Sequence, residues 1–303
     1  MATDHGRKAG AVGWTATRRR LLGGAAGMFV AAVAPAGCTR DARPGSRLGA
    51  LRARGVARLA LANEEPFGFV DAAGRPTGAM PQIAAAVLTR LGVARVEPVS
   101  TNFARLIDTL LDDRADLIAA GMSITDDRCR QVTFVGPDFS LPQALGVAVG
   151  NPLRLTDYRS VAAAPGARLG VLGGAVEAGY AAAAGVRASH ILPFLEQEEL
   201  VTAVISGDIA AFGLTSLSTR MLVSQARPGA LEATASFWAV VDGVRQQERG
   251  AMAFNPDHDD FAAAYAAKAT ELRRAGELAA ILRRWGFRPD EAGAPDAPVN
   301  CPD

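Results

Sequence analysis

The chain has 303 residues, 49% of them hydrophobic, and a formal charge of +1. That length supports a large core divided between two lobes, and that composition belongs to a globular protein rather than a disordered one. Arg7, Lys8 and Arg18 to Arg20 against Asp4 put +4 into residues 1–37, so the total of +1 leaves −3 for the remainder, which excludes a basic nucleic-acid-binding surface.

Residues 1–37 read as an export signal. Thr17-Arg18-Arg19-Arg20-Leu21-Leu22 leads into a small-residue apolar run, 23–34, that is too short for a comfortable membrane span and ends Pro35-Ala36-Gly37-Cys38. The paired arginines and leucines resemble a twin-arginine signal, and Ala-Gly-Cys resembles a lipoprotein processing site. Cys38 is therefore expected to become the lipidated first residue of an exported chain, tethered to the membrane at the cell surface or in the periplasm. A linker rich in Arg, Gly and Pro is expected over 38–55. Two cysteines then remain, Cys129 and Cys301. In an oxidising compartment they can close a disulfide that ties the tail to the first lobe, and two separate thiols are the other reading. His5, His190 and His258 have no ligand spacing with either cysteine, so neither a metal site nor a cofactor is expected.

The first strand, 57–62, runs into Asn63-Glu64-Glu65-Pro66-Phe67, which presents a carboxylate and, three residues on, an aromatic ring. Glu64 suits a cationic ligand head and Phe67 can stack on it; a solvated glutamate beside a core phenylalanine is the plainer reading. A turn at 71–74 precedes a helix opening at Pro81 and ended by Gly92, then a strand over 96–99 and a helix from about Asn102. Phe103 opens that helix beside a strand end, where it can line a pocket or fill the core. Residues 117–120 form a buried strand that stops at Gly121 and delivers Met122-Ser123-Ile124-Thr125-Asp126-Asp127-Arg128. Loops beyond the carboxyl ends of strands are where open α/β sheets hold ligands. A guanidinium there suits a ligand carboxylate, through two parallel charge-assisted bonds. An ion pair between Arg128 and Asp126 or Asp127 on the surface is the equal alternative.

An apolar strand over 144–149 leaves the first lobe, Asn151-Pro152 breaks the chain, and a second α/β unit begins near Leu155. Its strand 168–172 delivers Gly173-Gly174-Ala175-Val176-Glu177 to a helix start, where free backbone N–H groups make an anion site or simply a tight turn. A strand over 209–214 ends at Thr215-Ser216. A strand near 251–254 and a long helix over 260–284, interrupted at Gly276, close the fold before a polar surface tail. The alternation of strands and helical crossovers predicts a right-handed parallel sheet.

The combination of an export leader, Glu64-x-Pro66-Phe67, Gly121-x-x-x-Thr125-x-x-Arg128, a Gly173-Gly174 turn, and a terminal helix with Gly276-Glu277-Leu278 and Trp285-Gly286-Phe287 resembles the periplasmic solute-binding proteins of polar amino-acid ABC transporters. Within that family, Ala62 to Phe67, Ala119 to Met122 and Arg128-Cys129 look most like the ectoine/hydroxyectoine-binding proteins. The resemblance implies an α/β protein of type II periplasmic-binding fold, two Rossmann-like lobes joined by a two-strand hinge. Lobe 1 would comprise 56–147 and 250–288, lobe 2 would comprise 148–249, and 289–303 would be a tail.

The resemblance further implies a monomeric receptor, not an enzyme, that passes ectoine or hydroxyectoine to ABC permease subunits. Arg128 would hold the ligand carboxylate and Glu64 its amidinium, with Phe67 and Phe103 as box walls. Gly121, Ser123, Gly174, Ala175, Val176 and, as a second-lobe contact, Thr215 would complete the site. Two positions depart from the pattern. Ser123 stands where a third aromatic wall is expected, leaving that wall open or supplied by Phe139 or Phe69, and Val176 stands where a threonine hydroxyl is usual. These departures keep another small zwitterion, a polar, cyclic or methylated amino acid, as an alternative ligand. A dehydratase-type enzyme on the same fold is the reading from a different class, and it requires a general acid or base in the cleft beyond Glu64, for which His190 and Glu177 are the candidates.

Overall fold

A computed structural model describes residues 46–292 and Cys301. Fully apolar stretches such as Leu117-Ile118-Ala119-Ala120 can only be satisfied with both faces covered, and they become central strands. In the first lobe the five-stranded sheet runs in the order Arg95–Ser100, Val56–Leu61, Leu117–Ser123, Glu248–Phe254, Thr133–Leu141. The first three strands are parallel, as the helical crossovers require, whereas Glu248–Phe254 runs antiparallel to both its neighbours. In the second lobe the order is Leu231–Ala233, Gln143–Ala148, Ala211–Thr215, Leu169–Leu172, Ile191–Phe194, with the last three parallel.

Each sheet is covered on both faces by a buried apolar cluster. On one side of the first sheet Met80, Ile83, Val87 and Leu88 of helix Ala79–Arg90 pack with Phe261, Tyr265 and Leu272 of helix Asp259–Arg274. On the other, Leu106 and Leu110 meet Ile118 and Met122. Leu145, Val161 and Ala181, and separately Leu200, Val204 and Phe212, do the same for the second sheet.

Three expectations need correction. The lobes divide at Pro142 rather than after 147, because Gln143–Ala148 hydrogen-bonds into the second sheet. The expected linker carries a helix, Arg47–Arg54, with Ser46 as its cap, and three of its neighbourhood's arginines, Arg47, Arg54 and Arg58, converge on the fully buried Asp116. Composition hid it because helical arginines look like linker arginines until they find that one carboxylate. The long final helix is interrupted at Gly276 as expected, with Asp259–Arg274 and Glu277–Arg284 on either side of that glycine at φ 74°. The tail does not simply lie on the surface: Glu291 is buried, its carboxylate pairs with Arg220, and Ala292 bridges to Phe139.

Cys129 and Cys301 are joined by a disulfide, with Cα atoms 5.4 Å apart. The leader and Cys38 lie outside the described residues.

Candidate functional site

The carboxyl ends of the parallel strands in the two lobes deliver their loops to a common cleft. After Val56–Leu61, Glu64 and Gly68 exchange backbone bonds of 3.0 and 2.9 Å, a tight loop that turns Phe67 inward. The Glu64 carboxylate crosses to the second lobe, accepting from Gln197 Nε2 at 3.2 Å and Ser218 Oγ at 3.4 Å. Burial pushes its pKa up to about 8, the charge of Glu248 adds to the rise, and the two hydrogen bonds oppose it.

Arg128 does not stand on an open loop. It sits in a single helical turn, Asp126–Cys129, whose cap is the Thr125 hydroxyl accepting from the Arg128 N–H at 3.3 Å. Its side chain is buried, so the reading of a surface ion pair with Asp126 or Asp127 is set aside; Asp127 pairs with Arg130 instead. The guanidinium donates to the Ser123 carbonyl at 2.8 Å in the first lobe and to the Gly174 carbonyl at 2.9 Å in the second, and lies 5.3 Å from the centre of the Phe103 ring. Gly174 permits this bridge: at φ 81°, an added Cβ would lie 2.8 Å from Ala104 Cα across the cleft.

The cleft is nearly closed, with a cavity of only about 20 Å³ between the lobes. Of the ten expected ligand contacts, Glu64, Phe67, Phe103, Gly121, Ser123, Ala175, Val176 and Thr215 line it, while Arg128 and Gly174 meet each other at its edge. Gly121 does not end its strand, which continues to Ser123 with Gly121 at φ 69°. Phe67 fills core as much as wall, with its ring 5.2 Å from that of Phe139 and 5.9 Å from that of Phe287. The Thr215 hydroxyl caps helix Ser216–Gln225 by accepting from the Ser218 N–H at 3.2 Å. Neither candidate substitute supplies an aromatic wall at Ser123, since Phe139 is in the core and Phe69 stacks on Trp285. What stands there is a carboxylate: Ser123 Oγ donates to Glu248 at 2.5 Å.

Glu248 escaped the sequence reading because it lies in the polar run Arg245 to Arg249, which looks like a solvated turn. It opens the strand that crosses back between the lobes, and it also accepts from Gln143 Nε2, whose Oε1 takes the Tyr158 hydroxyl at 2.8 Å. Burial lifts Glu248 to about 7, against hydrogen bonds from Ser123 and Gln143 and the charge of Arg128. Glu177 begins helix Glu177–Ala183 and is 3% exposed; burial, then the charge of Glu248, raise its pKa well above the carboxylate range. The turn expected to attract an anion thus brings a carboxylate of the chain itself. Gln197 was legible in principle, since it follows the end of strand Ile191–Phe194. His190 is not among the cleft-lining residues.

This arrangement, two α/β lobes closing on charged strand-end residues, has relatives. Residues 58–288 match the family model of bacterial extracellular solute-binding proteins, family 3. The chain belongs to that family. This family-3 protein is 29% identical over 246 residues to the Sinorhizobium fredii "Probable amino-acid ABC transporter periplasmic-binding protein y4tE", covering 80% of the chain and 81% of that protein. It superimposes on EhuB in complex with hydroxyectoine with a TM-score of 0.74 at 31% identity, covering 80% of this chain and 92% of that one. An ancestral arginine-binding protein bound to arginine gives a TM-score of 0.67 at 25% identity, with 77% and 99% covered. Its architecture is the type II periplasmic-binding fold.

Proposed function

We propose that the chain is the extracytoplasmic substrate-binding component of an ABC importer and captures a small zwitterion of the ectoine and hydroxyectoine type between its lobes. One observation carries the reading: a carboxylate, Glu64, and a guanidinium, Arg128, reach the same buried cleft from one lobe and are both bonded to the other. The likeness to EhuB and to the Sinorhizobium fredii transporter protein supports it. The guanidinium has five N–H donors and uses only some of them on carbonyls, so it retains a fork for a ligand carboxylate. The ligand's delocalised cation meets Glu64, and the Phe103 and Phe67 rings wall the space between. Closing the lobes desolvates these charges, which only a fully paired ligand compensates, and an importer reads that closure. Tethering through a lipidated Cys38, a monomeric state and delivery to membrane permease subunits belong to the same proposal.

Calorimetry of the mature chain against ectoine, hydroxyectoine, betaine and the common amino acids tests it. Heat and a raised melting temperature with an ectoine are expected; silence across every zwitterion would refute the receptor. Ser123 and Val176, which remove an aromatic wall and a hydroxyl, favour a second reading, in which the ligand is another polar, cyclic or methylated amino acid. An enzyme on the same fold gains from Glu248 at about 7 and from Glu177, two acids in the closed cleft. Both hydrogen bonds on Glu248 come from neighbouring side chains, which fits a supporting group better than one that exchanges protons with a substrate. Release of the bound molecule unchanged, followed by nuclear magnetic resonance, separates receptor from enzyme.

A further inference from the structure

We propose that Ser123, oriented by Glu248, reads a hydroxyl on the ligand, so that the preferred ligand is a zwitterion with a hydroxyl on the carbon next to the one that bears its carboxylate. The inference rests on the receptor reading and narrows its ligand. It follows from where the hydroxyl hydrogens of the cleft go. A serine or threonine has one O–H to donate and two lone pairs with which to accept. Of the two hydroxyls that line the cleft, Ser123 donates to Glu248 at 2.5 Å and Thr215 donates to Ser218 Oγ at 3.1 Å. Thr215 also accepts from the Ser218 N–H, whereas among the described residues nothing donates to Ser123 Oγ. Ser123 therefore shows the cleft a buried oxygen that can only accept.

The direction of that bond is set from behind. The buried Tyr158 hydroxyl donates to Gln143 Oε1 at 2.8 Å, which turns the Gln143 amide so that its Nε2 donates to Glu248. Glu248 thus receives two donors, the arrangement an ionised carboxylate takes, and the charge of Arg128 favours the same form. With Glu248 met by its neighbours and Glu64 facing the ligand's cation, the group that suits Ser123 is a neutral donor. An aromatic ring at this position would offer a face and no lone pair. Arg128 fixes where the donor lies on the ligand: its guanidinium donates to the Ser123 carbonyl at 2.8 Å, so Ser123 stands beside the fork that suits a ligand carboxylate. A ligand without the hydroxyl leaves the Ser123 oxygen buried and unmet, which is costly.

Calorimetry on the mature chain with three pairs, each differing by that hydroxyl, tests it: ectoine with hydroxyectoine, and proline with cis- and with trans-3-hydroxyproline. In at least one pair the hydroxylated member should bind about three- to tenfold tighter, the scale of one neutral hydrogen bond. Ser123→Ala, whose melting temperature reports its folding, should bring that ratio toward one, and Ser123→Thr, which keeps the oxygen, should hold it. Equal or weaker binding of the hydroxylated member in every pair overturns the proposal without any variant, as does a ratio that Ser123→Ala leaves unchanged or that both variants lose alike. Binding confined to zwitterions that lack the hydroxyl overturns this inference alone and leaves the receptor standing; no binding by any zwitterion overturns both.

Discussion

Arg128 and Gly121 show how single residues set the cleft. The Arg128 guanidinium bridges carbonyls 2.8 and 2.9 Å away in different lobes, a planar task that a point ammonium cannot perform. Arg128→Lys should therefore lower affinity for a carboxylate ligand by about thirtyfold or more, read by calorimetry on a variant whose circular dichroism is unchanged. At Gly121 the backbone is at φ 69° and an added Cβ would lie 2.5 Å from Phe67 Cδ1. Gly121→Ala should cost about 1–3 kcal/mol in urea denaturation and also displace the Phe67 wall. Glu64 and Arg128 were legible in the sequence because each follows an apolar strand, and strand ends are where such sheets hold ligands. Glu248 was not, because a carboxylate flanked by Arg245, Gln246, Gln247 and Arg249 carries no local sign of burial; only the pairing of its strand with Leu117–Ser123 brings it against Ser123.

At the scale of elements, helix Arg47–Arg54 is tied to the first lobe by the fully buried Asp116, through Arg47 and Arg54, and by Asp260, which accepts from the Arg47 and Leu48 N–H groups. Burial alone would raise the Asp116 pKa, yet the hydrogen bonds and charge of Arg58, with the charge of Arg54, outweigh it and leave the group below its ordinary value. Stability from Asp116 is thus present above the usual carboxylate range and is lost as the pH falls through the lowered value. Asp116→Ala should cost about 1–3 kcal/mol, since it removes the carboxylate on which Arg47, Arg54 and Arg58 converge while leaving them their bonds to Asp113 and Val56, and hydrogen exchange should quicken first across residues 47–54. The disulfide closes a separation of 172 residues and ends on the helical turn that carries Arg128. Cys301→Ser should cost about 2–4 kcal/mol, visible as a melting temperature that no longer responds to reductant.

For the whole molecule, the buried acids make stability depend on pH in the opposite sense to Asp116. Glu64 at about 8, Glu248 at about 7 and Asp138 at about 7 are all raised, chiefly by burial. A raised group contributes stability that is complete below its unfolded value and is lost as the pH rises through the folded one. The ligand-free protein should melt higher at pH 5.5 than at pH 8.5, and Glu248→Gln should flatten that difference; scanning calorimetry across the range checks both. A cationic ligand should reverse the preference at Glu64, drawing the carboxylate into its charged form and releasing a proton on binding.

The amino-acid sequence by itself determined the alternation of strands and helices, the strand ends that carry Glu64 and Arg128, and the family pattern, because these rest on periodicity and spacing along the chain. Tertiary structure alone decided which lobe owns Gln143–Ala148, that helix Arg47–Arg54 forms around Asp116, and that Ser123 is backed by a carboxylate rather than a ring. The reason is the same in each case. A charge or a strand edge far away in the chain is invisible until folding buries it, and burial is what raises the carboxyl groups of Glu177 and Glu248 above the ordinary carboxylate range.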